Sequence, residues 1–170
     1  MTGRYAFEGT EPDIDPAAHV SHGATLVGNV AVGAHASVWP GVVLRGDVAP
    51  VRVGEHAHVG DNAVLHASTA GDRVMIGHGA VLNDAAVEDG ALVGFNTTVN
   101  SEVTVGTGSI VASGTTVPEG YAIPAESFVR GVPATVTPLA ETTLDPAAIF
   151  EAHSSGAYTD LAERHDDLFS

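Results

Sequence analysis

The chain has 170 residues, with 21 Asp and Glu against six basic residues, all of them Arg, and a net charge of −15. That balance excludes nucleic acid and anionic membrane surfaces as partners, because both repel such a surface. The absence of Cys excludes disulfides, thiolate zinc clusters and a cysteine nucleophile.

Aromatics are only 5% of a chain that is 44% hydrophobic, so the core has to be built from small and β-branched side chains. Met1 to Phe7 lacks the charged and apolar regions of a leader peptide, and no apolar run approaches a membrane span; the expected location is cytoplasmic. A complete lack of Lys beside so many carboxylates resembles the proteins of salt-loving archaea. There the cytoplasm screens self-repulsion over a Debye length of roughly 3 Å at 1 M salt.

From Ile14 onward an aliphatic residue recurs every six positions: Ile14, Val20, Leu26, Val32, Val38, Leu44. The register resumes at Val53, Val59 and Leu65. It steps by five to Ala70, Ile76 and Leu82, and by five again to Val87, Val93, Val99, Val105, Val111, Val117, Ile123 and Val129. Four residues after each of these 20 anchors sits Ala, Ser, Thr or Val in 18 cases, Tyr121 and Pro133 being the exceptions. A helix would space apolar residues by three and four, and a lone strand would alternate them. A period of six fits short flat strands joined by tight turns, three strands to a triangular coil, with the aliphatic anchor inward. Twenty hexads make between six and seven coils, roughly 30 Å tall at about 4.8 Å per coil.

The tail follows another rule. Pro133, Pro138 and Pro146 interrupt the strand pattern, and Tyr158, Leu161, Ala162, His165 and Leu168 fall at helical spacing. Asp145 before Pro146 is a helix start. The expected division is a β-helix over residues 1–137 and a helical tail over 138–170, with the helix broken near Ser155 and Gly156.

The register also turns residue numbers into geometry. Leu44, Leu65 and Leu82 lie three hexads apart and form one inward column. The residues that follow them, Arg45, His66 and Asn83, then stack on one outer face, with Asn100 one coil further. His78, two residues after Ile76, belongs to a neighbouring face. A symmetric trimer would bring that face to the His66 column of the next subunit.

Several segments together resemble the γ-class carbonic anhydrases and their relatives. Val43-Leu44-Arg45-Gly46-Asp47-Val48 is similar to that family's Arg-Gly-Asp strand. Val59 to His66 resembles the strand that ends in its first zinc histidine, and Ile76-Gly77-His78-Gly79 the segment that holds its second. Ile123-Pro124 and Gly131 to Ala134 resemble the exit from the prism, and Tyr158 to His165 the terminal helix. The resemblance implies a left-handed parallel β-helix with a C-terminal α-helix, a homotrimer, and zinc held by three His between subunits. It places His66 and the neighbouring subunit's His78 on the metal, and Asn83, Asp61 and Arg45 at the catalytic site. Arg45 and Asp61 also match an intersubunit ion pair, with Asp47 orienting Arg45.

The chain departs from the family at three points. Asn83 stands where the third zinc histidine is expected, Gly60 where a glutamine is expected, and the loop after His66 is missing. A carboxamide oxygen is a poorer zinc ligand than imidazole, so Asn83, His58 or Asp84 is the candidate to complete the set. The implied activity is hydration of carbon dioxide to bicarbonate. The alternatives are a non-catalytic trimeric scaffold and a hexapeptide acyltransferase. The latter would need a basic cleft for a pyrophosphate, which six Arg and no Lys supply poorly.

Overall fold

The computed structural model describes residues 3–169. Its strands wind into a left-handed parallel β-helix of about seven turns, with three faces that follow from the hexad repeat. One face carries Gly3–Tyr5, the first halves of Thr25–Val32 and Val43–Val53, then Val64–His66, Val81–Asn83, Thr98–Val99 and Thr116–Val117. The second carries Asp13–Ile14, the second halves of the same two long strands, then Thr69–Ala70, Ala85–Val87, Val103–Val105 and Ala122–Ile123. The third runs from His19–Val20 through Ser37–Val38, His58–Val59, Met75–Ile76, Leu92–Val93 and Ile110–Val111 to Ser127–Arg130. Every pairing along these faces is parallel.

Nineteen of the twenty aliphatic anchors are buried. Ile14, in the first full coil, is half-buried and packs on the same core. Fully burying each Val, Leu or Ile among them stabilises the fold by about 1.5–3 kcal/mol. Small residues fill the bends: Ala24, Ala36, Ala57, Ala63, Ala80, Ala91, Thr97, Ser109 and Ser127 are all buried. Asn62 and Asn96 hold left-handed turns at φ 60° and 52°, a conformation that Asn tolerates because its short amide bonds locally.

The repeat slips at three places, and all three follow the Leu column. At the two five-residue steps Ser68 and Ala85 turn inward in place of Thr69 and Ala86, because one turn position is missing. Between Leu44 and Val53, Val51 is the inward residue, while Val48 is 78% exposed. The extra residues form a bulge opposite Gly28 to Val30.

The strand pattern does not stop at Pro133. The chain turns back and Thr135–Pro138 pairs antiparallel with Ser127–Arg130, which occupies the open sheet edge. An N-terminal strand that the repeat did not signal, Gly3–Tyr5, pairs with Thr25 to Val27. The tail holds three helices: α1 (Pro146–Ala152), α2 (Ser155–Ala162) and α3 (Asp166–Phe169). Asp145 caps α1 by accepting from the Ala148 amide at 3.1 Å. The break falls at His153 and Ser154, earlier than expected; Ser155 opens α2 and Gly156 lies inside it. The buried face of α2 is Ser155, Thr159 and Ala162, not Tyr158 and Leu161. Small side chains let the helix lie close to the prism, where the Thr159 hydroxyl donates to the His35 carbonyl at 2.8 Å. Among the described residues no helix is long and apolar enough to cross a membrane.

Candidate metal centre

His66 and Asn83 end adjacent strands of the first face, and the sheet register pairs them directly. Arg45 pairs with His66 on the other side. Three site residues therefore stack in one column because each follows a buried Leu, and successive residues of a strand point to opposite faces. Tight turns close behind them, with Ala67 and Asp84 at φ 51° and 49°. The Ser68 hydroxyl donates to the His66 carbonyl at 2.8 Å, which ties the turn to the strand end.

The hydrogen bonds fix the His66 ring. Asn83 Nδ2 donates to the Ser101 hydroxyl at 2.8 Å. Its Oδ1 therefore faces His66 Nδ1 at 2.9 Å. A carbonyl oxygen only accepts, so Nδ1 carries the proton and the lone pair of the neutral ring lies on Nε2. Nε2 sits 3.3 Å from Asp47 Oδ1. That contact is close enough for an ion pair but is not aligned as a hydrogen bond, and both atoms are buried without a hydrogen-bond partner. Arg45 holds the other oxygen of Asp47 at 3.5 Å.

His78 occupies the corner between the third and first faces. Its Nδ1 is 2.8 Å from Asp61 Oδ2 and 3.0 Å from the Asp61 amide nitrogen. One ring nitrogen cannot donate to the carboxylate and accept from the amide together. The aligned hydrogen bond decides it: the Asp61 amide N–H donates to Nδ1 at 3.0 Å, and the carboxylate lies 2.8 Å from the same nitrogen at ion-pair distance without hydrogen-bond alignment. Phe95 stacks on the ring at 5.2 Å. Within one chain Asp61 is therefore the partner of His78, and Arg45 that of Asp47. Gly60 is explained by the same corner. A Cβ there would stand 2.8 Å from His78 Nδ1 and 3.0 Å from its backbone nitrogen, so a side chain at that position would have to push His78 aside.

His58 lies on the third face, fully buried, with Nδ1 3.1 Å from the Ser37 hydroxyl. Its ring packs on Tyr158 of α2 at 4.1 Å and is 6.3 Å from His78. Burial, and secondarily the positive charge of His78, lower its pKa to about 3. It is a neutral core histidine beneath the tail, placed with His78 and not with His66. Trp39 joins the same cluster against Tyr158, His165 and Phe169, covered by the tail of its own chain.

Among the described residues, no group of three His, Asp or Glu within one chain forms a complete metal site. His66 Nε2 and Asp47 Oδ1, both buried without a hydrogen-bond partner, are the donor atoms that a metal could use. His66 has Nδ1 committed to an acceptor and Nε2 as its basic nitrogen, the usual arrangement of zinc-bound imidazoles, whereas His78 Nδ1 accepts from the Asp61 amide. Asp47 and Ser101 are the residues that sequence reasoning undervalued. The signal for Asp47 was the nine-residue step after Leu44; nothing in the repeat marks Ser101.

A β-helix carrying histidines and carboxylates along one edge defines a hexapeptide-repeat protein with a candidate metal centre, and comparisons with known proteins narrow the class. No protein-family model matches the chain. The carnitine operon protein CaiE of Escherichia coli is 35% identical over 135 residues, covering 76% of this chain and 69% of that protein. Gamma carbonic anhydrase 1, mitochondrial, of Arabidopsis thaliana is 34% identical over 165 residues. That match takes in 91% of this chain, which spans only 59% of the plant protein. A hexapeptide transferase family protein from Anaplasma phagocytophilum superimposes with a TM-score of 0.88 at 27% identity, over 96% of this chain and 98% of its own. The chain belongs to the hexapeptide-repeat family of γ-class carbonic anhydrases and their relatives.

Proposed function

We propose that the protein is a γ-class carbonic anhydrase-like hydratase, interconverting carbon dioxide and bicarbonate at a zinc site between subunits of a homotrimer. The observation that carries the reading is the paired state of the two histidines. His66 Nδ1 is held by Asn83, which leaves Nε2 as its basic nitrogen, and the His78 ring is held at Nδ1 by the Asp61 amide and carboxylate. His66 of one subunit and His78 of the next would hold the metal. When bound, zinc supplies a Lewis acid that makes water nucleophilic near neutral pH. Asn83 and Asp61 orient the two rings, and Arg45 holds Asp47 beside His66. Exposed apolar side chains near the site, Val48, Val81 and Phe95, are surface that a second copy would cover, which supports the trimer.

The test is metal content and carbon dioxide hydration of protein purified without added zinc, before and after zinc loading. Hydration that rises with zinc occupancy and falls on His66→Ala or His78→Ala is the expected result. A zinc-loaded trimer with no hydration above buffer would sink the reading. That outcome would favour the scaffold alternative, which one observation supports: both ends of the Asn83 amide are engaged inside the chain, so Asn83 does not stand in for the family's third imidazole. The transferase names of the solved relatives are tested by acetyl-CoA turnover, for which no turnover is expected.

A further inference from the structure

Resting on the zinc reading above, we propose that Asp47, not Asn83, is the protein donor that completes the metal set beside His66. The two buried atoms without hydrogen bonds at this site, His66 Nε2 and Asp47 Oδ1, face each other at 3.3 Å. In the neutral ring, with its proton on Nδ1, that contact sets a lone pair beside a carboxylate oxygen. Left alone it is repulsive, and it costs the desolvation of two polar atoms. A cation between them removes both penalties. The spacing matches: nitrogen and oxygen ligands of one tetrahedral zinc, at about 2.0–2.1 and 2.0–2.2 Å from it, lie about 3.4 Å apart. The poor alignment of the contact as a hydrogen bond fits as well, because such a metal lies off the line joining its two ligands.

The remaining contacts assign the supporting roles. Arg45 engages Asp47 Oδ2 at 3.5 Å and leaves Oδ1 for the metal. Asn83 is then a positioning residue: it accepts from His66 Nδ1 and is itself oriented by Ser101. Asp47 of the Arg-Gly-Asp strand then takes the ligand role that the resemblance gives to a third histidine. Asn83, at that histidine's place in the sequence, orients the imidazole of His66. Two His and one carboxylate is a common catalytic zinc set.

The experiment uses cobalt(II) as the probe on the full-length protein in high-salt buffer, following binding by titration and geometry by the visible spectrum. The wild type should bind one ion per chain with the intense bands of four-coordinate cobalt. Asp47→Asn should weaken binding at least a hundredfold and lose those bands. Asn83→Ala should keep the bands and weaken binding about 10–100-fold, as loss of an orienting partner does. Wild-type affinity and spectrum in Asp47→Asn, or loss of the bands in Asn83→Ala, overturns the proposal. X-ray absorption of the wild-type cobalt protein serves if Asp47→Asn fails to fold. Two imidazoles with oxygen donors support the assignment, and three imidazoles overturn it. A wild type that binds no cobalt also overturns it, because the Asp47–His66 pair is then a plain ion pair with His66 doubly protonated. Asp47-dependent cobalt binding without carbon dioxide hydration leaves this assignment standing and sinks the hydratase reading alone.

Discussion

At the residue scale the close contact of Gly60 with His78 is the most restrictive feature of the site. Gly60→Ala should force the His78 ring or its backbone aside. Overpacking of this kind costs about 1–3 kcal/mol, and about 1 kcal/mol moves the melting temperature by roughly 2–4 °C in a chain of this size. Melting and metal affinity should both fall; an unchanged metal affinity would mean that His78 does not ligate. His58 gives a second measurable effect. Its pKa of about 3 lies below the ordinary 6.5 because burial, and then His78, disfavour the charged ring. As pH falls from 6.5 the unfolded chain takes up this proton first. The contribution is therefore fully present above 6.5 and is lost toward pH 3, at up to about 1.4 kcal/mol per pH unit. Urea unfolding at pH 7, 5.5 and 4.5 should show this slope, and His58→Phe should flatten it. Equal slopes in both proteins would contradict the burial argument.

At the scale of elements the tail acts as a cover for one face. α2 lays Ser155, Thr159 and Ala162 against the prism, and Tyr158 packs on the His58 ring and meets Trp39 edge to face. Tyr158→Ala removes the aromatic wall that separates both from water. It should lower stability by about 1–3 kcal/mol and shift the emission of Trp39, the only tryptophan, to the red. An unshifted spectrum would show that the other helices suffice to bury the indole. The site is built differently, from strand ends instead of the tail. Each of its column residues follows a buried Leu, and each break in the hexad falls just beyond it. The prism stays regular on its other two faces and concentrates its irregularity where side chains have to be aimed.

At the scale of the molecule, assembly and charge are linked. The zinc reading requires a trimer, because His66 and His78 stand on different faces of one chain. Sedimentation in molar KCl should give three chains per particle; a monomer at micromolar concentration would remove the shared site. The 21 carboxylates repel one another, and no Lys offsets them. Salt screens that repulsion, so the melting temperature should rise from dilute buffer to molar KCl. A salt-independent melting temperature would count against adaptation to high salt.

The hexad repeat determined the β-helix on its own, because a period of six allows one way to bury an aliphatic residue in every strand. Leu44, Leu65 and Leu82 also fixed which outward residues stack, so Arg45, His66 and Asn83 were legible as a column before any coordinates. Only the tertiary structure decided what those residues do. Asn83 reads in the sequence as a failed zinc ligand; Ser101, one coil away, turns its amide so that it accepts from His66 instead. Asp47 reads as a partner of Arg45, and only the bulge after Leu44 swings its second oxygen against His66 Nε2. Gly60 reads as a lost glutamine until His78 is seen filling the space. The break between α1 and α2 and the strand Thr135–Pro138 were also beyond the pattern. The strand is set by pairing with the edge of the finished prism, and a local repeat carries no information about surfaces that form only after the chain has coiled.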